Sequence, residues 1–216
     1  MKVLVFGASG ATGRHLVEEA LRRGHSVTAF VREASRLAIT HPDLSRVVGD
    51  VMAPDSVRKV LRGHEAVLCA LGTMPEGKDE KARRQPEVPV CSEGTKNILQ
   101  AMHEAGCRRI VVESAASIGD SYAAGRFGAG LIVRTVLKSV MADKELQEAA
   151  VRTSPFDWTL IRPPRLSNGA ATGSLQSGEK LAWNITSTAT RADVAAFMVQ
   201  IIDDRASYRK ALTVKA

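Results

Sequence analysis

The stretch Lys2-Val3-Leu4-Val5-Phe6-Gly7-Ala8-Ser9-Gly10-Ala11-Thr12-Gly13 decides how the rest of the chain is read. An apolar, β-branched run from Lys2 to Phe6 ends in a turn with glycine at every third position. Such runs suit strands buried on both faces of a parallel sheet. Beyond the turn, Leu16, Val17, Ala20 and Leu21 recur at the spacing of one helix face. Gly24 stands where a C′ residue closes a helix.

The same alternation continues along the chain. Ser26 to Val31 reads as the second strand, Arg46 to Val48 as a short third, and Asp55 to Leu61 as a helix. Ala66 to Ala70 is the fourth strand, and polar residues 73–88 form a loop after it. Pro89 to Ala105 reads as a helix closed by Gly106, and Arg109 to Val112 as the fifth strand. A helix from about Arg126 to Val151 leads to a sixth strand, Phe156 to Ile161. Pro163, Pro164, Asn168, Gly169, Gly173 and Gly178 mark a long loop. A last helix opens at Thr190, and Ala211 to Val214 is a closing strand. Repeated β–α alternation predicts an α/β fold, a single doubly wound Rossmann-type parallel sheet. Residues 1–216 are expected to form one domain, with a small substrate-covering region from the 73–88 and 163–180 loops.

Composition narrows the class. The 216 residues are 44% hydrophobic and 25% charged, which fits one domain with a full core. Apolar runs are too short for a spanning helix or a signal-peptide core. Cys69, Cys91 and Cys107 show no metal-ligand spacing and read as thiols in a reducing compartment, so a cytoplasmic setting is expected and no metal. The net charge of +7 is scattered, and aromatics at 4% leave little to stack on bases, which argues against nucleic acid. No membrane partner is expected, and a monomer or weak homo-oligomer is.

Glycines at 7, 10 and 13 allow a tight turn and a close backbone approach to a pyrophosphate. The helix that follows supplies unpaired N–H groups and positive dipole. Gly7, Ser9, Gly10, Ala11, Thr12 and Gly13 are thus the candidate phosphate cradle. Gly10 is expected to need positive φ or bare backbone beside the phosphates. About twenty residues on, an NAD-selective site places an acid at the end of the second strand. Here Arg32 stands there, and a guanidinium favours a 2′-phosphate by charge and by its fork of donors. Arg36 lies one turn further, while Glu33 comes one position later than a ribose acid would. The expected cofactor is therefore NADP(H).

The G-x-x-G-x-x-G spacing ending in Ala-Thr-Gly resembles the short-chain dehydrogenase/reductase superfamily. In such families the acid after the third strand accepts from the adenine amino group and its neighbour packs on the ring. The resemblance gives those parts to Asp50 and Val51, although Asp50 also reads as a turn or cap residue. Ala70, Leu71 and Gly72, at the switch point, can line the cofactor ribose.

The usual Y-x-x-x-K pair is missing. Tyr122 is followed by Arg126 at that spacing, and Lys144 is preceded by Val140. Ser114, at the end of the fifth strand, and Lys144, on the following helix, are the candidate catalytic residues. Ser117 and Tyr122 are weaker candidates on the same loop. Ala70-Leu71-Gly72-Thr73, Ser92 to Ile98, Glu113-Ser114-Ala115 and Arg162-Pro163-Pro164-Arg165-Leu166 together resemble the atypical short-chain reductases. That group includes the biliverdin-IXβ/flavin reductases and the NmrA-like NADP-binding proteins. The resemblance implies NADPH along the sheet's C-terminal edge under a flat conjugated acceptor. Ser114 and Lys144 would then also touch the cofactor, and Pro163, Arg165 and Leu166 would lie at its carboxamide end. Two histidines of the flavin/biliverdin reductases are absent, with Arg165 at the place of one.

Three functions follow as expectations. The first is an NADPH-dependent reductase of a flavin, bilin or quinone-like ring. The second is a non-catalytic NADP(H) redox sensor of the NmrA kind. The third is a sugar or polyketide dehydrogenase or epimerase, which the missing acid/base pair disfavours.

Overall fold

A computed structural model of the protein describes residues 1–72, 89–126, 129, 131 and 137–216. The expected 73–88 loop lies outside the described residues, as do positions 127, 128, 130 and 132–136 of the expected helix from Arg126.

Six strands and their connecting helices build the frame. They run β1 (Lys2–Phe6), α1 (Ala11–Arg22), β2 (Ser26–Val31), β3 (Leu44–Val48), α2 (Pro54–Leu61), β4 (Ala66–Cys69), α3 (Val90–Ala105), β5 (Arg109–Glu113), α4 (Lys138–Thr153) and β6 (Asp157–Arg162). Three short strands follow, β7 (Arg165–Ser167), β8 (Gln176–Gly178) and β9 (Thr188–Thr190), then α5 (Arg191–Gln200) and β10 (Lys210–Lys215). The main sheet has eight strands in the order β3-β2-β1-β4-β5-β6-β10-β8. Every pairing is parallel except β10 with β8 at one edge. Strand β1 pairs with β2 on one side and β4 on the other, so the chain order reverses there. This is the switch point outside which doubly wound sheets bind ligands.

Alternate strand residues feed two cores. Val3, Val5, Val27, Ala29, Val111 and Ile161 pack under α1 and α5. Leu4, Phe6, Val67, Ile110, Val112 and Leu160 pack under α2, α3 and α4. Both faces are covered, which is why β1, β4 and β5 read as continuous apolar runs rather than alternating ones.

The structure corrects the long loop after Pro164. It carries β7 and β8, and β7 pairs in parallel with β9 in a separate two-stranded sheet. Three-residue strands leave no period to read in the sequence. Of the helix expected before β6, the stretch Lys138–Thr153 is described as helix, and Ala129 and Leu131 are helical as well.

At the N-terminal edge of the sheet, Arg109 opens β5 with only 4% of its surface exposed. Its guanidinium donates to the carbonyls of Ile201, Ile202 and Asp157 and to the hydroxyls of Thr159 and Ser207. The Tyr208 ring lies 4.6 Å below it. Burial pushes its pKa down to about 10, against the nearby Tyr208 and aspartates.

Candidate functional site

The glycine turn closes backbone on backbone. Gly7 has φ +75°, and a Cβ there would collide with the carbonyl oxygen of Ala70. A Cβ on Gly13 would collide with the carbonyl of Gly7 in the same way. Gly10 lacks the positive φ that is one of its two expected reasons, bare backbone beside the phosphates being the other. Its angles, φ −72° and ψ 169°, suit any residue, and a Cβ would meet only the Gly7 oxygen at 3.1 Å. The left-handed position of the turn is Gly7.

Helix α1 begins with no side-chain cap from Gly10 and no acid in its first turn. Its positive end is therefore uncompensated beside a surface of bare backbone. That donor set fits a pyrophosphate. Thr12 turns inward and donates to Glu113 Oε1 at 3.0 Å. Arg14, which sequence reasoning passed over although it follows Gly13 directly, donates Nε to the Ser9 carbonyl at 3.1 Å. Its Nη2 reaches the Arg36 carbonyl at 3.2 Å. Arg14 thus ties the turn to the segment that carries Arg32 and Arg36. Arg32 is exposed, and Arg36 is exposed and paired with Glu33 at 3.1 Å.

On the β3 side, Asp50 Oδ1 accepts from the Met52 amide at 2.9 Å, closing a local turn. Val51 is buried, and its carbonyl accepts from Asn97 at 2.9 Å. It packs so closely on α3 that a Cβ at Gly94 would come within 2.9 Å of Val51 Cγ1. Ala70 continues the ladder by donating to the Phe6 carbonyl at 3.0 Å. Among the described residues nothing lies within 4 Å of a Cβ built at Gly72.

Between β5 and α4 the polar groups are bonded to one another. Ser114 is 5% exposed, and its hydroxyl donates to Glu148 Oε1 at 2.6 Å. Arg162 holds the same carboxylate through Nε at 2.8 Å and Nη2 at 2.5 Å, and donates Nη1 to Asp120 at 2.7 Å. Burial alone would lower the Arg162 pKa and raise that of Asp120. Their hydrogen bonds and charges reverse both, so Arg162 lies above and Asp120 below the ordinary value.

Lys144 is equally engaged. Its ammonium donates to the Leu71 and Glu113 carbonyls, each at 2.7 Å, and to Gln147 Oε1 at 3.1 Å. One carbonyl lies two residues past β4 and the other ends β5, so the lysine bridges adjacent strands where their ladder stops. Its neighbour Asp143 accepts from the Cys91 and Ser92 amides at 2.9 Å, capping α3 from another helix. Val140, one turn before Lys144, is buried against Ile118 and Met141.

Further along the mouth, Pro163 is buried and its carbonyl accepts from Ala116 at 2.9 Å. Arg165 and Leu166 start β7, paired with Thr188 and Ala189, and Arg165 is exposed. Ser117 is buried with φ 77°, a left-handed angle rare for a non-glycine residue. Tyr122 is 39% exposed. Asp193, in the first turn of α5, accepts from the Thr172 and Gly173 amides and from the Thr172 and Thr190 hydroxyls. These bonds hold its carboxyl below the usual range against burial. Glu113 shows the opposite behaviour. It is 7% exposed, and burial raises its pKa although Lys144 and Thr12 oppose the shift.

A Rossmann sheet with this glycine turn at its switch point is the architecture of a dinucleotide-binding protein. The chain belongs to the NAD(P)H-binding family, whose model matches residues 7–205. It is similar to a 3-beta-hydroxysteroid dehydrogenase of Mycolicibacterium neoaurum, 35% identical over 120 residues, 54% of this chain and 32% of that protein. Among curated relatives of this strength the chain spans between 32% and 62% of their length. In fold it matches ChuY of Escherichia coli O157:H7, an anaerobilin reductase, with TM-score 0.81 and 21% identity over 99% of this chain and 96% of that one. It also matches a wide-type short-chain dehydrogenase/reductase of Veillonella parvula in complex with NADP, with TM-score 0.82 and 15% identity over 100% and 94% of the chains. Among the described residues no helix is long and apolar enough to cross a membrane.

Proposed function

We propose that the protein is an NADPH-dependent reductase that delivers hydride to a flat conjugated acceptor such as a flavin, a bilin or a quinone-like ring. The observation that carries this reading is the apolar position one turn before Lys144. Val140 is buried there, so a phenol acid is missing from the place where the superfamily's tyrosine would stand. A conjugated acceptor takes hydride as a delocalised anion, and such an acceptor has less need of a strong side-chain acid. NADPH, when bound, supplies the hydride from nicotinamide C4.

The chain's own residues divide the remaining work. Gly7, Ser9, Gly10, Ala11, Thr12 and Gly13 bind the pyrophosphate with backbone. Arg32, with Arg14 and Arg36, binds the 2′-phosphate. Asp50, Val51, Ala70, Leu71 and Gly72 line the adenosine and ribose. Ser114, held by Glu148, orients the nicotinamide or the acceptor. Lys144 reaches ribose hydroxyls by exchanging one of its three protein acceptors. Pro163, Arg165 and Leu166 flank the carboxamide end, and Arg165 receives an anionic group of the acceptor.

Two measurements test the reading. Purified protein mixed with NADPH and a panel of flavins, bilins and quinones should consume the nicotinamide absorbance with at least one acceptor. Calorimetric titration should show NADP(H) binding more tightly than NAD(H). In Arg32→Ala that preference should fall about 10- to 150-fold for each charged hydrogen bond lost. Equal affinity for both dinucleotides in the wild type overturns the cofactor choice. The full engagement of Ser114 and Lys144 also favours a second reading, a sensor that binds NADP(H) without turnover. Tight binding with no consumption of NADPH by any acceptor would select it.

A further inference from the structure

Glu113 is a buried carboxyl that the proposed function leaves without a part. It ends β5 on the face covered by α1 and α5, and its neighbour Ser114 turns toward α4 instead. Thr12, inside the phosphate turn, donates to it at 3.0 Å, and no other hydrogen bond reaches the carboxyl among the described residues. Among the described residues no guanidinium pairs with it, in contrast to Glu148. Lys144 from α4 and Arg191 at the start of α5 contribute positive charge, Thr12 from α1 contributes none, and the Cys69 thiol lies on the β4 side. Burial outweighs both cations.

Its place at the C-terminal end of β5 gives this isolation a meaning. Arg32 marks the adenosine half, beyond β2, and the turn marks the pyrophosphate. A dinucleotide laid over the switch point carries its nicotinamide to the other side, over β4 and β5. The Thr12 contact joins the turn to the end of β5, so Glu113 stands at the start of that half. A buried acid responds strongly to a charge arriving beside it. The reduced nicotinamide is neutral and the oxidised ring carries one positive charge.

We propose that Glu113 holds a proton whose presence follows the charge of the nicotinamide, bound beside the reduced ring and released beside the oxidised ring. This inference rests on the cofactor reading above. As the C4–H bond breaks, hydride bonds to the conjugated acceptor, which is reduced and becomes an anion, while the cofactor is oxidised. Glu113 gives up its O–H proton to that anion, directly or through water, and its carboxylate remains against the cationic ring. Atoms and charge balance without a further reactant.

The test is a comparison of binding, made on the unmodified protein. Titrations with NADP+ and with NADPH across about pH 5.5 to 8.5 give the ratio of the two affinities, in which ionisation of the shared 2′-phosphate cancels. The ratio should move toward NADP+ by up to about tenfold per pH unit while Glu113 is protonated in the free protein, then level off. Calorimetry in buffers of different ionisation enthalpy should show NADP+ releasing up to one more proton than NADPH. Glu113→Gln should flatten the ratio, and Glu113→Asp should keep its slope. A flat ratio in the wild type with both dinucleotides tightly bound overturns the role of Glu113 and leaves the cofactor reading standing. Failure of both to bind at any pH overturns the cofactor reading, and this inference with it.

Discussion

The two ends of the sheet bury an arginine each and neutralise it by different means. Arg109, at the N-terminal edge, is surrounded by backbone carbonyls and hydroxyls. Two of those carbonyls, Ile201 and Ile202, lie just past the end of α5, where the helix dipole is negative. Arg162, at the C-terminal edge, is surrounded by the carboxylates of Glu148 and Asp120. The first arrangement uses neutral groups, mostly backbone carbonyls with the Thr159 and Ser207 hydroxyls, and fixes how α5 docks. The second uses side chains, and through Glu148 it also fixes the Ser114 hydroxyl. Carbonyls suffice where only packing is at stake. Where a side-chain hydroxyl is held in one orientation, charged partners do the holding.

Stability measurements can break this contrast. Arg162→Met should have the largest effect, about 3–5 kcal/mol by urea unfolding, because it leaves the buried Glu148 carboxylate with only the more distant Arg152, at 3.7 Å, as a cationic partner among the described residues. Adding Glu148→Leu should recover most of that loss, since the pair vanishes together. Arg109→Met should cost less, about 1–3 kcal/mol, because the carbonyls left behind are polar but uncharged. An equal or larger loss at Arg109 would erase the distinction between the two ends. Ser114→Ala should cost about 1 kcal/mol, one hydrogen bond, and should slow turnover of a competent acceptor by roughly tenfold. A loss of several thousand-fold would instead mean that Ser114 moves a proton.

The smallest effect concerns pH. Asp120 titrates below its ordinary value in the folded state, so its contribution is complete above the unfolded value and is lost as pH falls through the folded one. Its side chain is 63% exposed, so solvent screening limits the contribution to a few tenths of a kcal/mol. Acid unfolding of Asp120→Asn against the wild type below about pH 4 measures it. The difference should be present at pH 7 and fade in acid; one that persisted unchanged down to about pH 2 would show that charge is not its origin.

The sequence carries the frame more clearly than the site. The run Lys2 to Phe6, the glycine spacing and the helical period after Gly13 each obey a local rule, and together they set the switch point. The partners of Ser114 obey none. Glu148 is 34 positions away and Arg162 a further 14, brought together only because α4 packs beside β5 and β6. The turn was readable as a turn, but which glycine is left-handed depends on how Ala70 approaches Gly7 from β4. Strands β7 and β9 escaped because three residues hold no period. Glu113 escaped for a simpler reason: an acid ending an apolar run looks like the first exposed residue after a strand, and here it is buried.

Asp193 gives the segment after β7 a particular freedom to change. Two of its four partners are the amides of Thr172 and Gly173, which any residue except proline provides. Mutation can therefore rewrite the side chains of this segment while its anchor persists, and insertions on either side of the anchor need not undock it. A lineage that keeps one aspartate at the start of α5 can vary that loop alone, with the glycine turn and its helix left untouched.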